Sequence, residues 1–163
     1  MTHDPTAAHR SEPAARDVTF YSQGTPCAGV LRLPPDHAPG QRHPAVVLCA
    51  GMSLTKEVWL PDHAAQLNAA GYVTLNFDYR GFGGSGGTPR RRLDPEQQVT
   101  DTRNALTFLE ATAEVDPARL ALYGVSLGAS VATAVAGRDE RPKAMVAVAG
   151  PMDLGRVWGA FPT

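Results

Sequence analysis

The chain has 163 residues, of which 43% are hydrophobic and 19% charged, a composition typical of a folded globular domain. The 15 basic residues nearly balance the 16 acidic ones, so charge points to neither nucleic acid nor an anionic membrane as a partner. No apolar run is long enough for a membrane span or a signal peptide, and Cys27 and Cys49 lack metal or redox spacing, which together favour a reduced, cytoplasmic setting.

The first residues are expected to lie outside the folded part of the chain. Residues 1–15 are polar, include Pro5 and Pro13, and contain no apolar stretch, so we predict a disordered tail there. Residues 16–163 are enough for one domain with a sizeable core.

Six segments have the character of β-strands. Two weak ones, near Arg16–Ser22 and Cys27–Leu33, flank a turn at Gly24–Pro26 and predict an antiparallel hairpin. Four stronger apolar runs follow, at Ala45–Ala50, Tyr72–Phe77, Leu120–Val125 and Ala144–Ala149. These runs are nearly continuous rather than alternating, which is typical of strands buried on both faces of a parallel sheet.

Helical segments separate the apolar runs. The first is predicted over Glu57–Ala70 and ends at Gly71. The second begins after Asp94, whose side chain can cap it, and a third covers Leu127–Gly137. The core-facing side chains of the second helix repeat at helical spacing: Val99, Thr102, Leu106 and Leu109. Alternating strands and helices predict an α/β domain with a mostly parallel sheet flanked by helices.

The segment Gly124-Val125-Ser126-Leu127-Gly128 fits the pattern G-x-S-x-G. It directly follows an apolar strand and directly precedes a helix of small residues, which is the context that a nucleophile elbow requires. A sharp turn there lifts the Ser126 hydroxyl out of the sheet, and Gly124 and Gly128 let strand and helix pack closely. The alternative interpretation is a glycine-flanked turn serine without chemistry.

A second glycine-rich motif, Gly81–Gly86, satisfies the dinucleotide pattern G-x-G-x-x-G. That pattern must open directly into a helix whose N-terminus holds a pyrophosphate, whereas the next predicted helix starts only near Asp94. We therefore expect a tight loop at the rim of the active site, with nucleotide binding as a third hypothesis. The intervening run Arg90–Arg92 is either a solvated loop or a contact to an acidic substrate or partner.

In these motifs and their order, the chain resembles the α/β-hydrolase superfamily, above all hydrolases related to dienelactone hydrolase and the X-Pro dipeptidyl-peptidase and cocaine-esterase group. The segment His43–Gly51 is similar to the third strand of that fold and its oxyanion loop. Tyr72–Gly81 is similar to the fourth strand with its D-x-R-G turn, and Ala144–Gly150 to the sixth strand. The resemblance covers residues 16–155 and implies the strand order 1-2-4-3-5-6.

The resemblance implies that Ser126 is the catalytic nucleophile of a serine hydrolase. The N–H groups of Leu127 and Met52 would form the oxyanion hole, with Ser53 as the alternative to Met52. Donors of this kind are worth roughly 2.7–4 kcal/mol each in the transition state. The family needs no metal or organic cofactor, and its substrates would be small-molecule esters, thioesters or amides. Acyl transfer by the same site is also possible.

A complete triad is not found in the sequence. All five histidines precede Ser126, namely His3, His9, His37, His43 and His63. In this fold the chain order is serine, acid, histidine. His63 is expected to have a surface or packing role on the first helix. Asp153, after the last predicted strand, is a candidate for the acid, and the alternative is that it caps a helix before Leu154.

We therefore expect a hydrolase fold truncated after its sixth strand, with the domain at 16–163 as the N-terminal, incomplete part. Such a chain would have little turnover, because loss of a triad histidine costs roughly a millionfold in a well-studied protease. The alternative function is a non-catalytic domain that associates with itself or a partner through an exposed, apolar sixth strand.

Overall fold

The computed structural model describes residues 14–153. Most of the predicted tail at residues 1–15 lies outside this range, but Ala15 already begins the first strand. The carbonyl of Ala14 also accepts a hydrogen bond from the N–H of Leu33 at 3.0 Å. The folded part therefore begins slightly earlier than the sequence predicts.

Six strands and three helices alternate along the described chain. The strands are β1 (Ala15–Ser22), β2 (Thr25–Arg32), β3 (His43–Cys49), β4 (Val73–Phe77), β5 (Val115–Val125) and β6 (Pro142–Val148). The helices are α1 (Leu60–Ala69), α2 (Pro95–Glu110) and α3 (Leu127–Ala136). The predicted elements are all present, with ends that shift by a few residues, and β5 is longer than its apolar run because it continues back to Val115.

All six strands form one sheet in the order β1-β2-β4-β3-β5-β6, which confirms the predicted order and the mostly parallel sheet. β1 and β2 form the predicted antiparallel hairpin, β2 is antiparallel to β4, and the remaining neighbours are parallel. Because β4, β3 and β5 are parallel neighbours, their carboxyl ends lie side by side at one edge of the sheet. The chain segments that follow these three strands therefore meet there.

Two element boundaries differ from the sequence prediction for local reasons. The hairpin turn is Gln23-Gly24 rather than Gly24–Pro26, because Ser22 pairs with Thr25 and both turn residues have positive φ. The first helix begins at Leu60 instead of Glu57, because Trp59 has a φ of 61°, outside the helical region. The segment before it forms a turn in which Val58 N–H donates to Thr55 at 3.0 Å.

The core lies between the sheet and α2 and α3, with α1 against β4. The predicted stripe of α2, namely Val99, Thr102, Leu106 and Leu109, is buried. Asp94 caps this helix as predicted, since its carboxylate accepts a hydrogen bond from Gln97 N–H at 3.1 Å. No helix within residues 14–153 is both long and apolar enough to cross a bilayer.

The sixth strand is the exception to this burial. Every side chain of β6 after Pro142 is exposed, including Met145, Val146 and Val148. Its outer edge pairs with no other strand of the described region. The apolar edge expected from the sequence is therefore present in this part of the chain.

Candidate active site

The turn between β5 and α3 presents Ser126 to solvent. Ser126 is the N-cap of α3, with φ 55° and ψ −126°, and its side chain is exposed. Positive φ is costly for a residue with a Cβ, by about 1–3 kcal/mol, so the surrounding packing must hold this conformation. The Ser126 N–H donates to Val148 of β6 at 2.9 Å, and its carbonyl accepts from Ala129 N–H at 2.9 Å.

Two glycines make this turn possible, for the steric reason that the sequence suggested. A Cβ on Gly124 would lie 2.3 Å from the carbonyl oxygen of Gly128. A Cβ on Gly128 would lie 2.1 Å from the carbonyl oxygen of Cys49 and 2.6 Å from that of Ala50. These contacts are with main-chain atoms, so α3 packs directly on the end of β3 and no larger residue fits.

The segment after β3 runs beside the elbow. A Cβ on Gly51 would lie 3.5 Å from the Ser126 Cβ, and a turn follows in which Leu54 N–H donates to Gly51 at 3.2 Å. Met52 and Ser53 lie at the tip of this turn, and both are exposed. The structure thus brings the candidate oxyanion segment and the candidate nucleophile into contact.

The candidate oxyanion donors have no competing acceptor. Within residues 14–153, no hydrogen bond is donated by the N–H of Met52, Ser53 or Leu127. Leu127 is the first residue of α3, where main-chain N–H groups have no intrahelical partner. These three N–H groups have no acceptor among the described residues, so the oxyanion role of Leu127 with Met52 or Ser53 stays a prediction.

A buried ion pair, which the sequence analysis did not assign, fixes the turn after β3 to the loop after β4. The Asp78 carboxylate is fully buried and accepts hydrogen bonds from the Lys56 main chain at 2.8 Å and from Lys56 Nζ at 2.9 Å. It also accepts from Gly84 N–H at 2.9 Å. Burial alone would lower the pKa of Lys56, but hydrogen bonds to Glu57 and Asp78 outweigh it and raise that pKa.

A second buried pair anchors the D-x-R-G turn to α2. Arg80 Nε donates to the Asp101 carboxylate at 2.5 Å, and the Arg80 main chain donates to the same carboxylate at 3.0 Å. Ser22 donates to Asp101 from the hairpin at 2.6 Å. The charged residues of the D-x-R-G motif, Asp78 and Arg80, are visible in the sequence. Their partners, Lys56 and Asp101, lie 22 and 21 residues away, and no sequence pattern identifies them.

The loop Gly81–Gly86 does not have the geometry of a dinucleotide site. It folds back on itself and on the hairpin, with Gly81 N–H donating to Gly86 at 2.7 Å and Gly86 N–H to Pro26 at 2.8 Å. The next helix begins only at Pro95. No helix N-terminus therefore follows the glycines directly, and their place at the rim of an active site stays a prediction.

An open cavity of about 720 Å³ lies between the turn after β3 and the loop after β4. Ser53 and Thr55 line it from the first side, and Phe82, Arg90 and Arg91 from the second. Ser126 does not line this cavity itself. The lining residue nearest to Ser126 along the turn is Ser53. It is the second residue after Gly51, and Gly51 lies beside the elbow.

None of the described histidines hydrogen-bonds to the Ser126 hydroxyl, which has no hydrogen-bond partner within residues 14–153. His43 begins β3 at the opposite edge of the sheet, and its Nε2 lies 3.0 Å from Nδ1 of His37. His63 packs its ring on Tyr123, with centroids 5.3 Å apart, and its Nδ1 lies 2.9 Å from the Trp59 carbonyl oxygen. His3 and His9 lie outside the described residues.

Asp153 is exposed and follows β6, at the same edge of the sheet as Ser126. The segment before it packs on α3, where the Ser130 hydroxyl donates to the Pro151 carbonyl at 2.5 Å. A helix after Asp153 would begin at Leu154, outside the described residues, so both interpretations of Asp153 remain predictions. Among the described residues, no three His, Cys, Asp or Glu side chains lie close enough together to hold a metal ion.

A family model and several known proteins are similar to this chain in sequence. A sequence profile of the alpha/beta hydrolase family matches residues 46–163. The acyltransferase drtE of Aspergillus calidoustus is 39% identical over 112 residues, 69% of this chain and 36% of that protein. The thiohydrolase apmlB of Arthrinium phaeospermum is 40% identical over 105 residues, 64% of this chain and 34% of that protein.

A solved structure agrees with these sequence relatives. The alpha/beta hydrolase GrgF from Penicillium sp. sh18 superposes with a TM-score of 0.78 at 34% identity, covering 84% of this chain and 46% of that one. The chain thus spans about a third of the length of these two curated relatives and less than half of the solved one.

Proposed function

Because the chain belongs to the alpha/beta hydrolase family, we propose that it is part of a serine hydrolase that acts on esters, thioesters or amides through an acyl-enzyme on Ser126. The observation that carries this proposal is the backbone of Ser126, held at positive φ at the tip of a strand-turn-helix elbow with its side chain exposed. Five other non-glycine residues within 14–153 also have positive φ, so the support comes from the combination of φ 55° with ψ −126°, outside the left-handed helical region, in a strand-turn-helix setting.

The proposed reaction begins when the Ser126 hydroxyl attacks the substrate carbonyl and loses its proton to a base. The carbonyl oxygen becomes an oxyanion, which accepts hydrogen bonds from Leu127 N–H and from Met52 N–H. Collapse expels the alcohol, thiol or amine and leaves an acyl group on Ser126, which water or a second acceptor then removes. The names of the relatives, a thiohydrolase and an acyltransferase, are consistent with either acceptor.

No described histidine hydrogen-bonds to the Ser126 hydroxyl, and in this fold the base follows the nucleophile in the chain. All five histidines of this sequence precede Ser126. We therefore propose that this chain alone has an intact elbow and little turnover. Asp153 remains the proposed acid on the strength of its position after β6.

A fluorophosphonate probe tests this proposal, with imidazole added to substitute for the missing base. We expect slow labelling that rises with imidazole and is abolished by Ser126→Ala. The matched control is Ser130→Ala, which removes a hydroxyl one turn further along α3. Labelling that survives Ser126→Ala, or its absence even at high imidazole, would contradict the assignment.

A second candidate function is association through β6, which the exposed edge and its apolar side chains favour. A strand edge of this kind can add a strand from another chain. Sedimentation velocity should then show a concentration-dependent dimer that Val146→Lys abolishes. A monomer at all concentrations would count against this function.

A further inference from the structure

We propose that the cavity beside the elbow binds an anionic group of the acyl substrate, with Arg91 as the residue that recognises it. This inference rests on the proposed function, since it names the substrate class of the same site. It concerns the Arg90–Arg92 run, whose role the sequence left open.

The first argument is charge balance at this corner of the molecule. Lys56 is paired with Asp78 and Glu57, and Arg80 is paired with Asp101. Within residues 14–153, neither Arg90 nor Arg91 has a carboxylate within 4.0 Å. Both arginines line the same cavity, and no carboxylate of the described residues neutralises either of them.

The second argument is that these two arginines have different roles. The guanidinium of Arg90 donates to the carbonyls of Ser85 and Gly83, so it braces the glycine loop. Within residues 14–153, Arg91 hydrogen-bonds only through its main chain, whose N–H donates to the Gly81 carbonyl at 3.0 Å, and its φ is 60°. Its exposed guanidinium therefore has no partner among these residues and can pair with a carboxylate or a phosphate.

The third argument is the rest of the cavity lining. Ser53 lines the opposite wall and carries a hydroxyl, whereas the Thr55 side chain hydrogen-bonds to Glu57, and Phe82 supplies an apolar surface. A guanidinium with a hydroxyl donor across a cavity matches the oxygens of a carboxylate or a phosphate. The apolar surface would receive the aliphatic chain that carries this group.

The fourth argument is that the cavity lies close enough to Ser126 for one substrate to reach both. It lies between the segments that follow β3 and β4, and Ser126 follows β5, the neighbour of β3 on the other side. Two strand spacings amount to roughly 10 Å, so the anionic group would lie several bonds from the reacting carbonyl. It could be a carboxylate at the far end of the acyl chain or a phosphate on the leaving group.

Calorimetric binding with the full chain distinguishes these two sources. Monomethyl suberate carries a carboxylate on the acyl side, and dimethyl suberate is its neutral counterpart. Phosphopantetheine and pantetheine are the matching pair for the leaving group. We expect one anionic probe to bind at least about tenfold more tightly than its neutral partner.

Substitutions of two neighbouring arginines test whether Arg91 itself binds the anionic group. Arg91→Gln should remove most of the preference for the anion, and Arg91→Lys should keep part of it. The matched control is Arg92→Gln, an adjacent exposed arginine that lies 3.9 Å from Asp94 and does not line this cavity. It should change binding less than about twofold, and thermal unfolding of each variant verifies that the fold is intact.

The same binding measured in Ser126→Ala separates this inference from the proposed function, because the cavity does not need the nucleophile. Preference for the anion in both backgrounds supports the inference even if fluorophosphonate labelling fails. Equal binding of charged and neutral probes, or equal losses in Arg91→Gln and Arg92→Gln, would overturn it while leaving the nucleophile assignment untouched.

Discussion

The turn after β5 and the loop after β4 lie at the same edge of the sheet, but different forces hold them. At the elbow, main-chain contacts leave no room for a side chain at Gly124 or Gly128, and packing imposes the backbone of Ser126. The loop after β4 is held by two carboxylates, Asp78 within it and Asp101 in α2, which bind basic side chains and main-chain N–H groups. One turn is fixed by sterics and the other by buried charge, so they should fail in different ways.

The largest expected effect is at the elbow. Gly128→Ala places a methyl group where main-chain carbonyls of β3 already lie, so α3 must separate from the sheet. We expect a loss of about 4 kcal/mol or more in the free energy of unfolding, measured by urea denaturation. Gly137→Ala is the control, because its Cβ would meet the carbonyl oxygens of Thr133 and Ala134 at 3.6 and 4.0 Å, which is ordinary van der Waals contact. Similar stabilities for the two variants would contradict the steric account.

The next largest effect is in the loop after β4. Asp101→Asn removes the charge partner of buried Arg80 and should cost about 3–5 kcal/mol in the free energy of unfolding. Asp116→Asn, which breaks an exposed pair with Arg119, serves as the control and should leave the urea midpoint unchanged. If both substitutions have the same small effect, buried charge does not hold this loop.

A smaller effect of opposite sign is expected from relief of strain. Ser126→Gly should stabilise the protein by about 1 kcal/mol, because glycine adopts positive φ without a steric penalty. Ser126→Ala keeps the Cβ and should leave the melting temperature nearly unchanged. A melting temperature that falls in Ser126→Gly would show that the hydroxyl, rather than the backbone, dominates the energetics of the elbow.

The smallest expected effect concerns the chemical reactivity of two buried cysteines, one packed beneath each of the two turns. Burial raises the pKa of Cys49, at the end of β3 below Gly128, to about 11. Burial, followed by the charge of Asp101, raises the pKa of Cys27, which lies in β2, to about 12. Since the thiolate is the reactive form, iodoacetamide at pH 8 should alkylate neither thiol in the native protein.

The same thiols report which turn has opened in a variant. We expect Gly128→Ala to expose Cys49 first and Asp101→Asn to expose Cys27 first, as peptide mass spectrometry after brief alkylation would show. Simultaneous labelling of both thiols in both variants would mean that the two turns unfold as one unit.

The elbow could be predicted from the sequence because its determinants are contiguous. Five consecutive residues, a preceding apolar run and a following small-residue helix specify the turn, and the strand order followed from the family resemblance. The pairs Lys56–Asp78 and Arg80–Asp101 could not be predicted, since their members lie on different elements and no period relates them. The early start predicted for α1 failed because helical pattern alone does not reveal a positive φ at Trp59.

The close packing of Gly128 on the end of β3 has a consequence for how such a site can change. The candidate donors to the oxyanion, Leu127 with Met52 or Ser53, are main-chain groups on the two segments that meet at this junction, so their hydrogen-bonding capacity is independent of side-chain identity. Met52 is about half exposed, so a different side chain there leaves the main-chain donor in place. Substitution there offers a way to reshape the entrance for new acyl groups while the junction itself stays intact.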